Sequence, residues 1–189
     1  MSRSREGSKS WGDFVEQVVY EYLLTCDVED IRKTSYYVDM EKHIDFTFFS
    51  KKLNKYVGID VKAPVPVEGY GINEVNYGTF INNRGKPGWL YGEANFAFIV
   101  TFEEFIIVEL PELRNFLQNQ TAGQEPEFGN RKIPYIKFHC RYKGGFRKSV
   151  STLFKIEDVK NLPSAKVVKH NYGDRLKQAF NEMRECKIE

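Results

Sequence analysis

The chain has 189 residues, a length that favours one domain whose core is large enough to fold without disulfides or structural metals. Its 41% hydrophobic and 29% charged residues are typical of a globular protein, and a net charge of +2 indicates no partner by itself. The three cysteines are odd in number and far apart, and no apolar run is long enough to span a membrane. These features argue against a disulfide framework, a zinc site and a membrane protein. The polar, basic beginning lacks the apolar segment of a secretory signal, so we expect a cytoplasmic location.

The N-terminal part of the chain predicts an arm followed by a helix. Residues 1–9 are small, polar and basic, and we expect them to form a flexible arm before a single domain at residues 10–189. Ser10 stands where a helix N-cap would stand. The residues after it recur with helical spacing and predict an apolar stripe, formed by Trp11, Val15, Val18 and Tyr22 with Phe14 and Val19 beside it.

The next part of the chain predicts strands. Residues 35–39 indicate a short strand. Residues 43–49 alternate between apolar and polar side chains, with Ile44, Phe46 and Phe48 on one face. A polar turn at 51–54 and a second apolar stretch at 56–61 complete a predicted β-hairpin.

The rest of the chain predicts a sheet flanked by helices. Residues 67–93 are rich in Gly, Asn and Tyr and are expected to be irregular; so long a loop in a compact domain is usually functional. The predicted strands cover 96–102, 105–110, 133–142 and 149–153, and the predicted helices begin at Pro111, within 151–162, and at Asp174. The order of elements predicts an α/β fold of mixed type, with a mixed central β-sheet flanked by helices.

Asp60 and Lys62 are the first candidates for chemistry. They lie two residues apart on a predicted strand and therefore share a face, with Ile59 and Val61 on the other. The hairpin would bring Asp45 beside Asp60, and two adjacent carboxylates need a proton or a cation. Oxygen ligands favour Mg²⁺ or Mn²⁺. A lysine near that metal could orient or deprotonate a water that attacks a phosphodiester.

The surrounding sequence separates this triplet from two others with the same spacing. Asp158 and Lys160, like Glu185 and Lys187, stand in helix-like segments, where positions i and i+2 diverge. The alternative interpretation of Asp60 and Lys62 is a solvent-facing pair on an amphipathic sheet. Two exposed acids opposite each other would destabilise such a sheet unless they had a partner, which favours the functional interpretation.

The pair Ile44-Asp45, followed by Asp60-Val61-Lys62, resembles the PD-(D/E)xK nuclease superfamily. In that family an Asp on one strand precedes a (D/E)xK triplet on the next, and here Ile44 replaces the family's proline. The resemblance covers residues 7–62, and the layout beyond them is similar, more loosely, to small endonucleases of phages and mobile elements. It implies a restriction-endonuclease-like core. It also implies metal ligands at Asp45, Asp60 and the Val61 carbonyl, with Lys62 acting on the water.

The family also carries a glutamate on a helix before these strands. Glu16 resembles that residue and would complete the metal site, and Glu21 is the competing candidate. Both flank the apolar stripe, so the spacing does not choose between them. A solvated helix carboxylate is the alternative for Glu16.

Basic residues are segregated in the second half of the chain. From Phe128 to Ile156 there is no acidic residue, whereas the whole chain is nearly neutral. This segregation is typical of a surface that contacts nucleic-acid phosphates, although a solvated basic sheet face is the alternative. The predicted contacts are Arg131, Lys132, Lys137, Arg141, Lys143, Arg147 and Lys148, together with Arg84 and Lys86 in the 67–93 loop.

These features lead to one leading hypothesis, a Mg²⁺- or Mn²⁺-dependent endonuclease that acts on DNA. An RNA substrate would use the same metal chemistry and stays an alternative. A second alternative is a nucleic-acid-binding protein that has the same fold but no catalytic activity. Since cleavage of both strands commonly implies two copies, a homodimer is a further expectation.

Overall fold

Two mixed β-sheets and five helices form the described part of the protein. The computed structural model describes residues 5–82, 84–128, 133–142 and 145–185. The helices are α1 (Arg5–Leu23), α2 (Tyr36–Lys42), α3 (Leu110–Gln120), α4 (Ile156–Lys160) and α5 (Gly173–Glu185), with a 3₁₀ turn at Trp89–Tyr91. The strands are β1 (Val28–Lys33), β2 (Phe46–Ser50), β3 (Lys55–Lys62), β4 (Val75–Ile81), β5 (Phe96–Val100), β6 (Glu104–Glu109), β7 (Glu127–Phe128), β8 (Phe138–Tyr142), β9 (Gly145–Lys155) and β10 (Lys166–Lys169).

The larger sheet carries the predicted hairpin. Its strand order is β1-β2-β3-β5-β6-β10, and β3 and β5 run parallel while its other neighbours are antiparallel. The hairpin is confirmed, with Phe46 of β2 opposite Ile59 of β3. The backbone N–H of Asp45 donates to the Ile59 carbonyl at 2.8 Å, which continues this register by one residue. The register therefore places Asp45 beside Asp60.

A second sheet replaces part of the loop that the sequence predicted. Its order is β4-β9-β8-β7, and β4 lies within residues 67–93. The expectation of an irregular segment there is wrong because β4 pairs with β9, with Asn76 opposite Phe154, and buries Val75 and Phe80. The segment holds Val75, Tyr77, Thr79, Phe80 and Ile81, which favour strands, but the Gly and Asn residues around them hid this pattern in the sequence. The mixed sheet flanked by helices is thus confirmed in its class, with two sheets instead of one.

Apolar side chains cover both faces of the larger sheet. On one face, α1 and α5 pack against Phe46, Ile59 and Phe98, as the predicted helical stripe requires. On the other face a second apolar cluster joins the two sheets, with Ala97 from the larger sheet and Phe154 from the smaller one. Strands buried on both faces keep their polar groups near the ends, which is where the candidate site lies.

The N-terminal predictions need correction. Helix α1 begins at Arg5, so residues 5–9 are not an arm, and Ser10 lies inside the helix rather than capping it. Residues 1–4 lie outside the described part of the chain.

The segment before the hairpin also differs from the prediction. Residues 36–39 are the start of helix α2 rather than a strand, because Ser35 acts as the N-cap and its hydroxyl accepts from the Val38 N–H. The prediction that Ile44 shares a face with Phe46 is wrong. Ile44 precedes β2 and packs against the apolar cluster between the two sheets, whereas Phe46 lies in the cluster under α1 and α5.

The predictions for the later elements were mostly confirmed. Strands β5 and β6 and helices α4 and α5 lie where the sequence placed them, and Pro111 lies in the first turn of α3. Strands β1 and β10 were not predicted; they form the two edges of the larger sheet and carry four charged residues of six and two of four, which is typical of edge strands. Among the helices described, none has the length and apolar character needed to cross a membrane.

Candidate active site

Asp45, Asp60 and Lys62 lie together at the end of the β2–β3 hairpin. The Val61 N–H donates to Asp45 Oδ2 at 2.6 Å, and Lys62 Nζ lies 2.6 Å from Asp60 Oδ1. Asp60 is 1% exposed and Asp45 is 7% exposed. The interpretation of Asp60 and Lys62 as a solvent-facing pair is therefore wrong, since the carboxyl is buried.

One oxygen of this group has no partner. Asp60 Oδ2 is buried and makes no hydrogen bond with the described part of the protein. A buried carboxylate oxygen without a partner is destabilising, and such atoms require an explanation such as a bound ion. Because Asp60 lies beside Asp45, carboxyl oxygens of both residues are available at this end of the hairpin.

Burial dominates the electrostatics of the two aspartates. Burial raises the pKa of Asp60 to about 8, and Asp45 adds to this effect while Lys62 opposes it. Burial likewise raises the pKa of Asp45, again against the influence of Lys62. Burial alone would lower the pKa of Lys62, but the surrounding carboxyls outweigh it, so the pKa is raised and the side chain is held as an ammonium.

Asp39 is a member of this site that the sequence did not reveal. It lies on α2 with its carboxyl facing that of Asp45, and the two carboxyls influence each other's pKa. Burial raises the pKa of Asp39, while the charge of Lys62 lowers it. The signal that could have revealed it is Ser35, a helix-capping residue that would have replaced the predicted strand with a helix directed at the site.

The two candidate glutamates occupy different environments. Glu16 Oε2 lies 2.8 Å from Lys33 Nζ. Burial raises the pKa of Glu16, and the neighbouring Asp45 contributes in the same direction. Glu21 Oε2 instead lies 2.6 Å from Arg175 on α5, where it joins two helices at the surface. Of the two, Glu16 is the one placed beside the aspartates.

Two tryptophans fix the elements that surround the site. The Trp11 indole N–H donates to the Pro64 carbonyl at 3.0 Å and ties α1 to the chain just after β3. The centroid of the buried Trp89 ring lies 4.7 Å from Lys62 Nζ, and its indole N–H donates to the Tyr77 carbonyl at 3.2 Å. Trp89 is thus a buried core residue that also contacts the candidate catalytic lysine.

Two clefts meet at α2, and we call them the acidic cleft and the basic cleft. The acidic cleft has a volume of about 390 Å³ and includes Glu16, Asp39 and Asp45 among its lining residues. The basic cleft, named for Arg84 and Lys86, has a volume of about 570 Å³; Asp39, Glu41 and Glu93 also line it. Both clefts are lined by Tyr36 and Asp39.

The predicted nucleic-acid contacts are only partly placed near the site. Arg84 and Lys86 lie on a turn in which Asn82 Oδ1 accepts from both of their backbone N–H groups, at 2.9 and 3.1 Å. Lys137 lies in a separate cleft of about 460 Å³ with its ammonium 5.8 Å from the centre of the Phe80 ring. Outside the described part of the chain lie Arg131, Lys132 and Lys143 and the side chains of Arg141, Arg147 and Lys148.

The fit of a metal ion depends on the donor atoms present. Within the described ranges, no three His, Cys, Asp or Glu side chains are arranged to enclose a metal ion. Glu16 is drawn onto Lys33, and Asp60 Oδ1 onto Lys62. The unpartnered Asp60 Oδ2 and the carboxyl of the adjacent Asp45 nevertheless are oxygen donors of the kind that Mg²⁺ and Mn²⁺ prefer.

Comparison with known proteins adds no relative. The chain matches no protein-family model, and neither a similar curated protein nor a similar solved structure was found. The function is therefore inferred from the site.

Proposed function

We propose that the protein is a metal-dependent nuclease that hydrolyses phosphodiester bonds, with DNA as its substrate, on a restriction-endonuclease-like core. The observation that carries this proposal is the buried, unpartnered Asp60 Oδ2 beside Asp45 and Lys62. Carboxyls buried at such a cost are typical of functional sites, where burial and like charges shift pKa values.

The metal would bind to Asp45, Asp60 and the Val61 carbonyl. A divalent cation bound there supplies a water of lowered pKa and neutralises the charge that develops on the phosphate. The backbone N–H of Val61 orients the Asp45 carboxyl, and Asp39 contacts the same carboxyl from α2. These contacts limit the rotation of Asp45 and keep its oxygens directed at one position.

Lys62 would act on the attacking water or on the phosphate. Its ammonium is held between Asp60 and the face of Trp89, so its direction is set before the substrate binds. A pre-oriented donor stabilises developing charge without the cost of reorganisation. Arg84 and Lys86, on the turn beside the basic cleft, would contact phosphates away from the reacting one.

The test is cleavage of plasmid and single-stranded DNA with Mg²⁺ or Mn²⁺. We expect Asp60→Asn and Lys62→Met to lower the rate by at least about 100-fold, the lower range for a lost acid–base group. Asp27→Asn is the matched control, because Asp27 is an exposed aspartate that pairs with Lys51 at 2.8 Å. Cleavage that persists in chelator, or that neither site variant changes, would contradict the proposal.

The alternative is a nucleic-acid-binding protein without catalysis. It predicts DNA binding together with no cleavage and no Mn²⁺ binding that depends on Asp45. Calorimetric titration of wild type and Asp45→Asn with Mn²⁺ separates the two, because of these two proposals only the metal-dependent nuclease requires a metal at Asp45.

A further inference from the structure

An exposed aromatic ring stands at the point where the two clefts meet. Tyr36, the first residue of α2, is 67% exposed and lines both the acidic cleft and the basic cleft. Its neighbour Tyr37 is similarly exposed, but a hydrogen bond joins its hydroxyl to Glu41 on the same helix. The Tyr36 ring is therefore placed on the ridge between the candidate catalytic groups and the basic turn.

The charges on the two sides of this ridge differ. On one side lie Glu16 and Asp45, which would take part in holding a cation, while Asp39 lines both clefts. On the other side Arg84 and Lys86 lie together on one turn, and Lys42 pairs with Glu93 at 2.8 Å; Glu41 also lines this cleft. A polyanion that crossed the ridge would meet Arg84 and Lys86 on one side and, with a cation bound at Asp45, positive charge on the other, and it would pass over the face of Tyr36.

The depth of the site favours a single strand over a duplex. Asp60 is almost fully buried, and the cleft that reaches Asp45 has a volume of about 390 Å³. Cavities of roughly 300–1,000 Å³ hold small ligands, which is the scale of a nucleotide rather than of a double helix. In a duplex the bases are stacked inside and reach a protein ring only if they flip out, which costs a few kcal/mol.

We infer that the substrate is an unpaired nucleic-acid strand, one base of which stacks on the ring of Tyr36 as the strand passes from the basic cleft into the acidic cleft. This inference rests on the proposed nuclease function and narrows its substrate. Aromatic side chains bind bases of unpaired strands in this way because every base offers a flat face, and the preference is tolerant of sequence.

The test measures binding separately from cleavage. A short DNA strand carrying 2-aminopurine, and the duplex made from it, are titrated with protein in Ca²⁺. We expect the strand to bind more tightly than the duplex, and its 2-aminopurine fluorescence to be quenched by stacking. Tyr36→Ala should weaken strand binding by roughly 5- to 150-fold and abolish the quenching, whereas Tyr36→Phe should keep both.

A second tyrosine provides the control. Tyr56 is 58% exposed and lies at the start of β3, where its hydroxyl donates to Asp30 at 2.7 Å, so Tyr56→Ala should bind as wild type does. Equal affinity for strand and duplex, or unchanged strand binding by Tyr36→Ala, would overturn the inference. If duplex is cut with Mn²⁺ and Tyr36→Ala cuts it equally well, the nuclease proposal stands and the inference falls. If wild type neither binds nor cuts any DNA, the nuclease proposal falls and the inference falls with it.

Discussion

The ammonium nitrogen of Lys62 lies 4.7 Å from the centroid of the Trp89 ring. A cation over an aromatic face is stabilised by the ring's negative π surface, and a tryptophan gives the strongest such interaction. Burial lowers the pKa of Lys62, but the neighbouring carboxyls outweigh it and keep the side chain protonated, while the contact with Trp89 directs it at the site. Trp89 therefore acts through Lys62, as a positioning residue.

Replacing Trp89 should affect the chemical step more than binding. The contact is worth about 0.5–2 kcal/mol, so Trp89→Leu should lower kcat by up to roughly 30-fold. KM should change little, because Lys62 acts in the transition state. Trp89→Phe keeps an aromatic face and should recover most of kcat. Steady-state kinetics of both variants test this, and an equal loss in the two variants would show that the ring face is not what matters.

The buried carboxyl of Asp60 should make the metal-free protein less stable as pH rises. Its pKa is raised from 3.8 to about 8 in the folded state, so the folded protein holds the proton more tightly than the unfolded chain does. The contribution of Asp60 to the free energy of unfolding is fully present below the pKa of the unfolded chain, about 4. It is lost as the pH rises from about 4 to about 8. The raised pKa of Lys62 acts only at more alkaline pH.

Thermal melts in chelator between about pH 5 and pH 8 measure this effect. Asp60→Asn should flatten the decline and should melt above wild type at the alkaline end, because the amide carries no charge to bury. His43 has a pKa lowered by burial, which gives the opposite slope, but it contributes equally to both proteins. Added Mn²⁺ should raise the Tm of wild type more than that of the variant. If Tm depends on pH in the same way in the two proteins, burial of the Asp60 carboxyl does not raise its pKa as proposed.

The hairpin and its aspartates could be predicted because local patterns determine them. Alternation with period two fixes which side chains share a strand face, and the polar turn at 51–54 fixes the register that brings Asp45 beside Asp60. The stripe that begins at Trp11 extends over several helical turns, which is enough for its period to be recognised. For these elements, sequence spacing and structure carry the same information.

Asp39 and strand β4 could not be predicted in this way. Helix α2 has only seven residues and contains Tyr-Tyr-Val, which favours strands, so its period is too short to outweigh propensity. Strand β4 pairs with β9 through contacts far apart in sequence, such as Asn76 with Phe154. No local pattern in the sequence reveals a pairing partner at that separation. The turn with Arg84 and Lys86, which follows β4, was therefore expected to lie in an irregular loop.

Asp39 should affect metal affinity without being essential for folding. It contacts Asp45 from α2, and the partners that orient a metal ligand typically contribute 10- to 100-fold in affinity. Asp39→Ala should weaken Mn²⁺ binding by about that factor in a calorimetric titration. Glu41→Ala, on the same helix, is the control and should leave the Mn²⁺ affinity unchanged. If both variants bind Mn²⁺ as wild type does, Asp39 does not support the site.

Glu16 and Glu21 should differ in their effects on activity. Glu16→Gln should lower the rate of DNA cleavage by about 10-fold or more, because it removes a carboxylate beside Asp45. Glu21→Gln should leave the cleavage rate unchanged. It should lower the free energy of unfolding by at most about 1 kcal/mol, since the ion pair of Glu21 with Arg175 is largely exposed. The reverse order of effects in cleavage assays would assign the helix carboxylate to Glu21.

The ion pair between Lys33 and Glu16 should compete with the metal. At 2.8 Å, the Lys33 ammonium occupies an oxygen of Glu16 and adds positive charge to the acidic cleft. Lys33→Met should therefore tighten Mn²⁺ binding, because the freed carboxylate and the lost charge both favour a cation. In Glu16→Gln the same substitution should gain less, since there is no carboxylate left to release. The four affinities form a double-mutant cycle, and an equal gain in both backgrounds would show that Lys33 acts through its charge alone.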